Sequence, residues 1–158
     1  MLWRFLAVIL FSFTLPAQPV VRLRAAGPYF LVDGIHVNGQ GPFRFLLDTG
    51  AQSTAVTPQL ARKLSLRPTY RVEVVSVNGV VNAIGTKVSD VTLGSAKALG
   101  AEVLWYDLSA VQRVDPTMDG VLGQSFLGRF RYSIDVRKRL LKIEEEAPRT
   151  GMRIPFEP

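Results

Sequence analysis

Residues 43–51 read Phe43-Arg44-Phe45-Leu46-Leu47-Asp48-Thr49-Gly50-Ala51. Phe43, Phe45 and Leu47 fall at every second position, as the residues of a strand facing a core do. The strand then runs directly into an acid. A carboxylate at the end of an apolar strand needs a partner or hydrogen bonds to stay there. Thr49 places a short hydroxyl beside it, and Gly50 permits a tight turn and the close approach of another backbone. Asp48 is therefore the first candidate for chemistry.

The surrounding composition bounds what that chemistry can be. The chain has 158 residues, 47% of them hydrophobic and 20% charged, which fits one globular domain with a single core. It contains no cysteine, so disulfides, thiol nucleophiles and cysteine-ligated zinc are excluded. Its one histidine, His36, rules out a metal cluster built on several histidines. Any Ser-His-Asp triad would have to use His36, which reads instead as a partly exposed strand residue. No metal or cofactor is expected. The net charge of +6 comes from scattered arginines and lysines, such as Arg22 and Arg24, Arg62 and Lys63, and Arg137-Lys138-Arg139. They read as solvated faces and turns. They are not interleaved with aromatics in a nucleic-acid-binding motif, so no nucleic-acid partner is expected.

The N-terminus places Arg4 before the apolar run Phe5–Phe13, followed by Pro16-Ala17. This pattern reads as a secretory signal, or as an uncleaved membrane anchor, over residues 1–17. Leu15 stands where a signal cleaved after Ala17 would prefer a small residue. The expected localisation is exported, periplasmic or extracellular, with a tether through residues 1–17 as the variant. Residues 18–28 carry Pro19, Gly27 and Pro28 and read as a linker. The folded domain is expected over 29–146, with a C-terminal tail at 147–158.

Within that domain, short strands predominate. Tyr29–Val37 is rich in β-branched and aromatic residues, and Asn38-Gly39 signals a hairpin turn. A short strand follows at 52–56. Thr57-Pro58 then reads as an N-cap and first helical residue, starting a brief helix with Leu60 and Leu64 on one face. Arg71–Leu93 is β-rich, with a hairpin tip at Asn78-Gly79. Ala101–Leu108 reads as another apolar strand, and Asp115–Gly120 as a loop. Val121-Leu122-Gly123 is a short apolar segment, and Gln124–Leu127 a short helix closed by Gly128. Phe130–Val136 and Leu140–Ile143 form a last hairpin. The expectation is an all-β protein: a small closed β-barrel with one or two short helices.

No phosphate-binding glycine loop, GxSxG elbow or HExxH is present. What remains is Asp48 in an Asp-Thr-Gly turn and an apolar-apolar-Gly segment about 70 residues later. One carboxylate is a poor catalyst of amide hydrolysis, whereas two that share a proton are a good one. Leu47-Asp48-Thr49-Gly50-Ala51 and Val121-Leu122-Gly123 together resemble the two signatures of retropepsin-like aspartic proteases. More narrowly, the chain resembles bacterial single-domain members that are exported or membrane-anchored. These pair Asp-Thr-Gly-Ala with a later Asp-Gly-hydrophobic-Leu-Gly, here Asp119-Gly120-Val121-Leu122-Gly123. The resemblance spans about residues 29–145.

That resemblance implies a barrel of the acid-protease type and an aspartic endopeptidase acting on a peptide or protein substrate. With one Asp-Thr-Gly in the chain, it implies a homodimer with Asp48 from each subunit at a two-fold axis. Thr49 would link the two turns, and Gly50 and Ala51 would present backbone to substrate. Val121, Leu122 and Gly123 would pack under the catalytic turn. Val77, Asn78 and Gly79 would form a flap over an extended peptide. Asp119 reads as a loop or cap acid, since no Thr-Gly follows it. Gln52-Ser53 and Gln124 stand where viral enzymes carry acids and a base, so their salt-bridge support does not transfer. The alternative function is a non-catalytic dimeric binding or assembly module of the same fold.

Overall fold

The alternation in residues 43–47 is the key to the architecture, because it divides the side chains of the strand between two faces of the sheet. In the computed structural model, which describes residues 20–76 and 79–144, thirteen strands and three short helices follow one another. They are β1 (Val20–Arg22), β2 (Arg24–Ala26), β3 (Tyr29–Val37), β4 (Gln40–Leu47), β5 (Thr54–Val56), α1 (Pro58–Lys63), β6 (Tyr70–Ser76) and β7 (Gly79–Lys87). Then come β8 (Asp90–Leu93), β9 (Ala96–Leu99), β10 (Glu102–Trp105), α2 (Ser109–Gln112), β11 (Gly120–Leu122), α3 (Gln124–Leu127), β12 (Arg131–Asp135) and β13 (Leu140–Glu144).

Ten strands form one sheet, in the order β6-β7-β10-β5-β11-β4-β3-β8-β9, with β2 paired to β3. The remaining three form a small sheet in the order β1-β13-β12. The protein is mostly β with few helices, as expected. The strand order, however, is a path with two ends and not a closed ring, so the barrel expected from the short strands is open. β6 and β9 are its edges.

Period-2 alternation divides the buried side chains between the two faces of the central strands. Phe43 and Phe45 of β4, Val56 of β5, Val103 of β10 and Leu122 of β11 enter the larger core, with Phe126, Leu127, Leu141 and Ile143. Their neighbours Leu46, Ala55, Leu104 and Val121 enter a smaller cluster on the other face, with Leu31, Ala83, Leu108 and Met118. Val74, Ala51 and Tyr106 pack against this smaller cluster without being fully buried.

α1 begins as expected: the Thr57 hydroxyl accepts from the Leu60 backbone N–H at 3.1 Å, and Pro58 fills the first helical position. Leu60 and Leu64 are buried together in the larger core. Residues 18–28, expected as a linker, instead carry β1 and β2. β1 pairs antiparallel with β13, Val20 opposite Lys142, and β2 pairs antiparallel with β3. Between them Leu23 is buried, and its N–H donates to the Arg139 carbonyl at 2.8 Å. Three-residue strands are too short to show a period, which is why Pro19, Gly27 and Pro28 dominated the reading. The described part of the domain thus starts ahead of Tyr29. The expected signal or anchor at 1–17 and the tail at 147–158 lie outside the described residues. Among the described residues, no helix is long and apolar enough to cross a membrane.

Candidate active site

β4 and β5 are consecutive in the chain but are not neighbours in the sheet. β11 lies between them, parallel to β4 with Leu122 opposite Leu47, and antiparallel to β5 with Val121 opposite Ala55. The link from Asp48 to Ser53 must therefore cross the C-terminal end of β11. Strand contacts this close leave no room for side chains at the crossing. At Gly123 a Cβ would strike the Ser53 carbonyl and approach the Ala51 carbonyl oxygen to 2.8 Å. At Gly120 it would strike the Ala55 carbonyl and the Phe45 ring. Gly123 has φ −109° and ψ −169°, a conformation open to any residue, so space and not conformational freedom demands glycine there.

The crossing is stitched by hydrogen bonds. The Asp48 N–H donates to the Leu122 carbonyl at 3.1 Å, extending the β4–β11 ladder by one step. Gln124 N–H donates to the Ala51 carbonyl at 2.8 Å, and Ser125 N–H to the Gln52 carbonyl at 2.9 Å. The fully buried Thr54 hydroxyl accepts from Gly123 N–H at 3.2 Å, while Thr54 N–H donates to the Ser125 hydroxyl at 2.8 Å. Val121, Leu122 and Gly123 thus lie against the turn that carries Asp48.

The turn in its lower part is fixed and in its upper part open. Asp48 Oδ1 accepts from Gly50 N–H at 2.9 Å and from Ala51 N–H at 3.1 Å. Oδ2 has no hydrogen-bond partner among the described residues. Asp48 is half-buried, and Thr49 and Gly50 are exposed. One carboxylate oxygen is therefore anchored and the other is available to a ligand, a water or another carboxyl group.

Alternation along β4 carries Asp48 toward the face of the smaller cluster. Tyr106, just beyond β10, agrees with this direction. Its phenol is pushed above its ordinary pKa first by burial and then by the negative charge of Asp48. A protonated phenol thus stands near the acid on the face where Ala51, Val74 and Ala83 pack. Val74 and Ala83 belong to β6 and β7, which pair antiparallel and reach out beyond the sheet to the opposed pair Val75 and Val80. These two valines are 83% and 61% exposed, so the outer end of the hairpin presents apolar surface. Of the expected flap residues, Gly79 begins β7, whereas Val77 and Asn78 lie outside the described residues. Tyr106 was not singled out by sequence reasoning, because it sits inside an ordinary apolar run and nothing local marks it.

Asp119 lies at the opposite end of β11. Its carboxylate accepts from the Arg44 backbone N–H at 3.0 Å, and its own N–H donates to the Arg44 carbonyl at 2.8 Å. Its carbonyl accepts from Thr57 N–H at 2.9 Å, at the start of α1. It is a structural clasp between β4 and α1, in keeping with its reading as a loop acid. His36 is half-buried on β3, with Nδ1 3.1 Å from the Gly34 carbonyl. Among the described residues, no three acidic, histidine or cysteine side chains gather as a metal site. A surface cavity of about 420 Å³, lined by Lys87, Glu102, Ser125 and Arg129 among others, does not include Asp48.

An Asp-Thr-Gly turn on a strand end, with a glycine-bounded strand threaded beside it, is an arrangement that other proteins share. The family described as "gag-polyprotein putative aspartyl protease" matches residues 34–129, more than half of the chain. The chain belongs to the retropepsin-like aspartic protease family. Among solved structures, this retropepsin-like chain is similar to a retropepsin-like aspartic protease from Rickettsia conorii. The TM-score is 0.62 at 24% identity, over 82% of this chain and 91% of that one. It also matches the EIAV protease complexed with the inhibitor HBY-793, with a TM-score of 0.45 at 18% identity, over 75% of this chain and 92% of that one. Among curated protein sequences, none matches.

Proposed function

We propose that this retropepsin-like chain is an aspartic endopeptidase, active as a homodimer in which each subunit contributes Asp48. The observation that carries the reading is the state of that carboxylate, with Oδ1 clamped by two backbone amides and Oδ2 left open. A carboxylate so held keeps its orientation while its free oxygen exchanges a proton or binds water. A second Asp48 facing it supplies the partner that a single chain lacks. Two carboxylates at close range cannot both ionise, so the pair holds one proton.

The charged member takes a proton from the water between them as that water attacks the peptide carbonyl. The protonated member gives its proton to the carbonyl oxygen. The tetrahedral intermediate then collapses as the nitrogen is protonated and the C–N bond breaks. In this reading Thr49, exposed beside the acid, meets the turn of the other subunit. Gly50 and Ala51 border the scissile bond, and the β6–β7 hairpin closes over an extended peptide. Tyr106 adds an apolar wall with a protonated hydroxyl. The apolar run behind Arg4 supports export, with or without a tether to the membrane.

Activity on a peptide library across pH, for wild type and Asp48→Asn, tests the proposal. The wild type should give a bell-shaped profile. The variant should fall by about a thousandfold or more in kcat, within the span of acid–base contributions, while its sedimentation stays that of a dimer. Cleavage by Asp48→Asn at the wild-type rate, or a wild type that sediments only as monomer while cleaving, defeats it.

A further inference from the structure

The Asp48 turn is gripped by one side chain that the reaction itself does not require. Gln124 Nε2 donates to the Thr49 carbonyl at 2.8 Å and to the Tyr132 hydroxyl at 3.1 Å. A carboxamide nitrogen carries two hydrogens, and these two bonds use both. The Thr49 carbonyl and the Gly50 N–H belong to the same peptide unit, and that unit is planar. Its oxygen is held by Gln124, and its N–H points to Asp48 Oδ1 at 2.9 Å. Setting one end of the plane sets the other. The Gln124 backbone adds a second hold on the same turn: its N–H donates to the Ala51 carbonyl, while the Ala51 N–H, in the preceding peptide unit, donates to the same Oδ1. Tyr132 on β12 is half-buried and fixes the far hydrogen of the carboxamide, so the grip is referred to the small sheet.

We infer that Gln124, braced by Tyr132, is a positioning residue that orients the Asp48 carboxylate through the Thr49–Gly50 peptide. The inference rests on the peptidase reading of Asp48 for its catalytic consequence, but the grip on the turn has a readout of its own. Gln124 opens α3, whose remaining turn is anchored separately by Phe126 and Leu127 in the larger core. Removing the carboxamide should therefore loosen the turn without unfolding the helix.

Three variants test this: Gln124→Leu, Gln124→Glu and Tyr132→Phe. Each is followed by peptide cleavage and by amide hydrogen exchange at Gly50 and Ala51. Gln124→Leu keeps the bulk and loses both donors. It should lower kcat by about ten- to a hundredfold with KM nearly unchanged, the scale expected when a reacting group is misplaced. Exchange at Gly50 should quicken while that of β12 and β13 does not. Tyr132→Phe keeps the packing and removes one acceptor, with an expected loss of about two- to fivefold. Gln124→Glu presents an acceptor to the Thr49 carbonyl until it is protonated. Its kcat relative to wild type should recover as pH falls below about 4.3, the range in which a glutamate regains a donor.

Wild-type kcat and wild-type Gly50 exchange in Gln124→Leu would overturn the inference. So would a loss shared equally by kcat, KM and the exchange of β12 and β13, which marks mere unfolding. Failure of the peptidase reading looks different. Wild type and Asp48→Asn would then be equally inactive, and exchange at Gly50 alone would decide whether Gln124 holds the turn.

Discussion

Asp48 and Asp119 stand at opposite ends of the same three-residue strand, and their carboxylates are bound in different ways. Asp119 uses its carboxylate, its N–H and its carbonyl on the backbones of Arg44 and Thr57, tying β4 to α1. Asp48 accepts with Oδ1 from the amides of its own turn, and its Oδ2 has no partner among the described residues. Both acids are half-buried, and a glycine follows each closely, Gly50 and Gly120. Burial and sequence context alone therefore do not separate the two acids. The difference lies in what each carboxylate holds: Asp119 accepts from the Arg44 N–H, 75 residues away, and ties two elements together, whereas Asp48 accepts from amides of its own turn.

Substitutions at the two ends sharpen this contrast. The largest effect is expected at the Asp48 end, from Gly123→Ala. A methyl there meets the Ser53 and Ala51 carbonyls, which are backbone atoms that cannot swing aside. The cost should be about 3 kcal/mol of stability, read as a lower urea midpoint, because overpacking against backbone is not relieved by rotamer changes. Tolerance of the methyl would show that the crossing is looser than the glycine spacing implies.

At the other end, Asp119→Ala removes the acceptor of the Arg44 N–H and should cost about 1–2 kcal/mol. Peptidase kcat of that variant should stay close to wild type. A collapse of kcat at unchanged stability would make Asp119 part of the chemistry and erase the contrast.

The smallest effect concerns pH. Asp115 neighbours the clasp and is held below the ordinary carboxylate range, chiefly by the Thr117 hydroxyl and N–H, with the Arg44 and Arg24 charges adding to this. A depressed carboxylate contributes stability that is fully present above its unfolded pKa of about 3.9 and is lost as pH falls through its folded value. Thr117→Val, which removes the hydroxyl bonded to both Asp115 and Arg44 Nη1, should lower stability slightly at neutral pH and leave it nearly unchanged in strong acid, so that the acid limb of a stability–pH curve flattens. An unaltered acid limb would mean that the loop is held elsewhere.

Strong local signals carried much of the architecture. β3 runs over Tyr29–Val37 as its β-branched and aromatic content indicates, and α1 starts at the Thr57-Pro58 cap. The missing elements lack such signals. β9 reads Ala96-Lys97-Ala98-Leu99. It alternates buried and exposed residues faithfully, but alanine and lysine are poor markers of a strand. α2 is a single four-residue turn, and its one cue is Asp107, whose carboxylate accepts from the Ser109 N–H at 2.8 Å. The opening of the expected barrel depends on which strands pair, and short strands of similar composition do not encode that order.

At the site, the acid and its glycine were visible because they are contiguous. The grip of Gln124 on Thr49 spans 75 residues, and the approach of Tyr106 to the acid is a matter of sheet order. Gln124 showed in the sequence only as a residue unlike its viral counterparts.

The insertion of β11 between β4 and β5 also bears on the order in which the molecule can be assembled. The Asp48 turn and its flanking strands leave the ribosome well before residues 120–125, which hold the turn in place. Closing a loop that long must precede any reward from its contacts, so this part of the sheet is expected among the last to consolidate. A nascent or C-terminally truncated chain would carry the acid without its cradle. The same topology that anchors the carboxylate would thus leave an unfinished chain with an unsupported turn until β11 arrives.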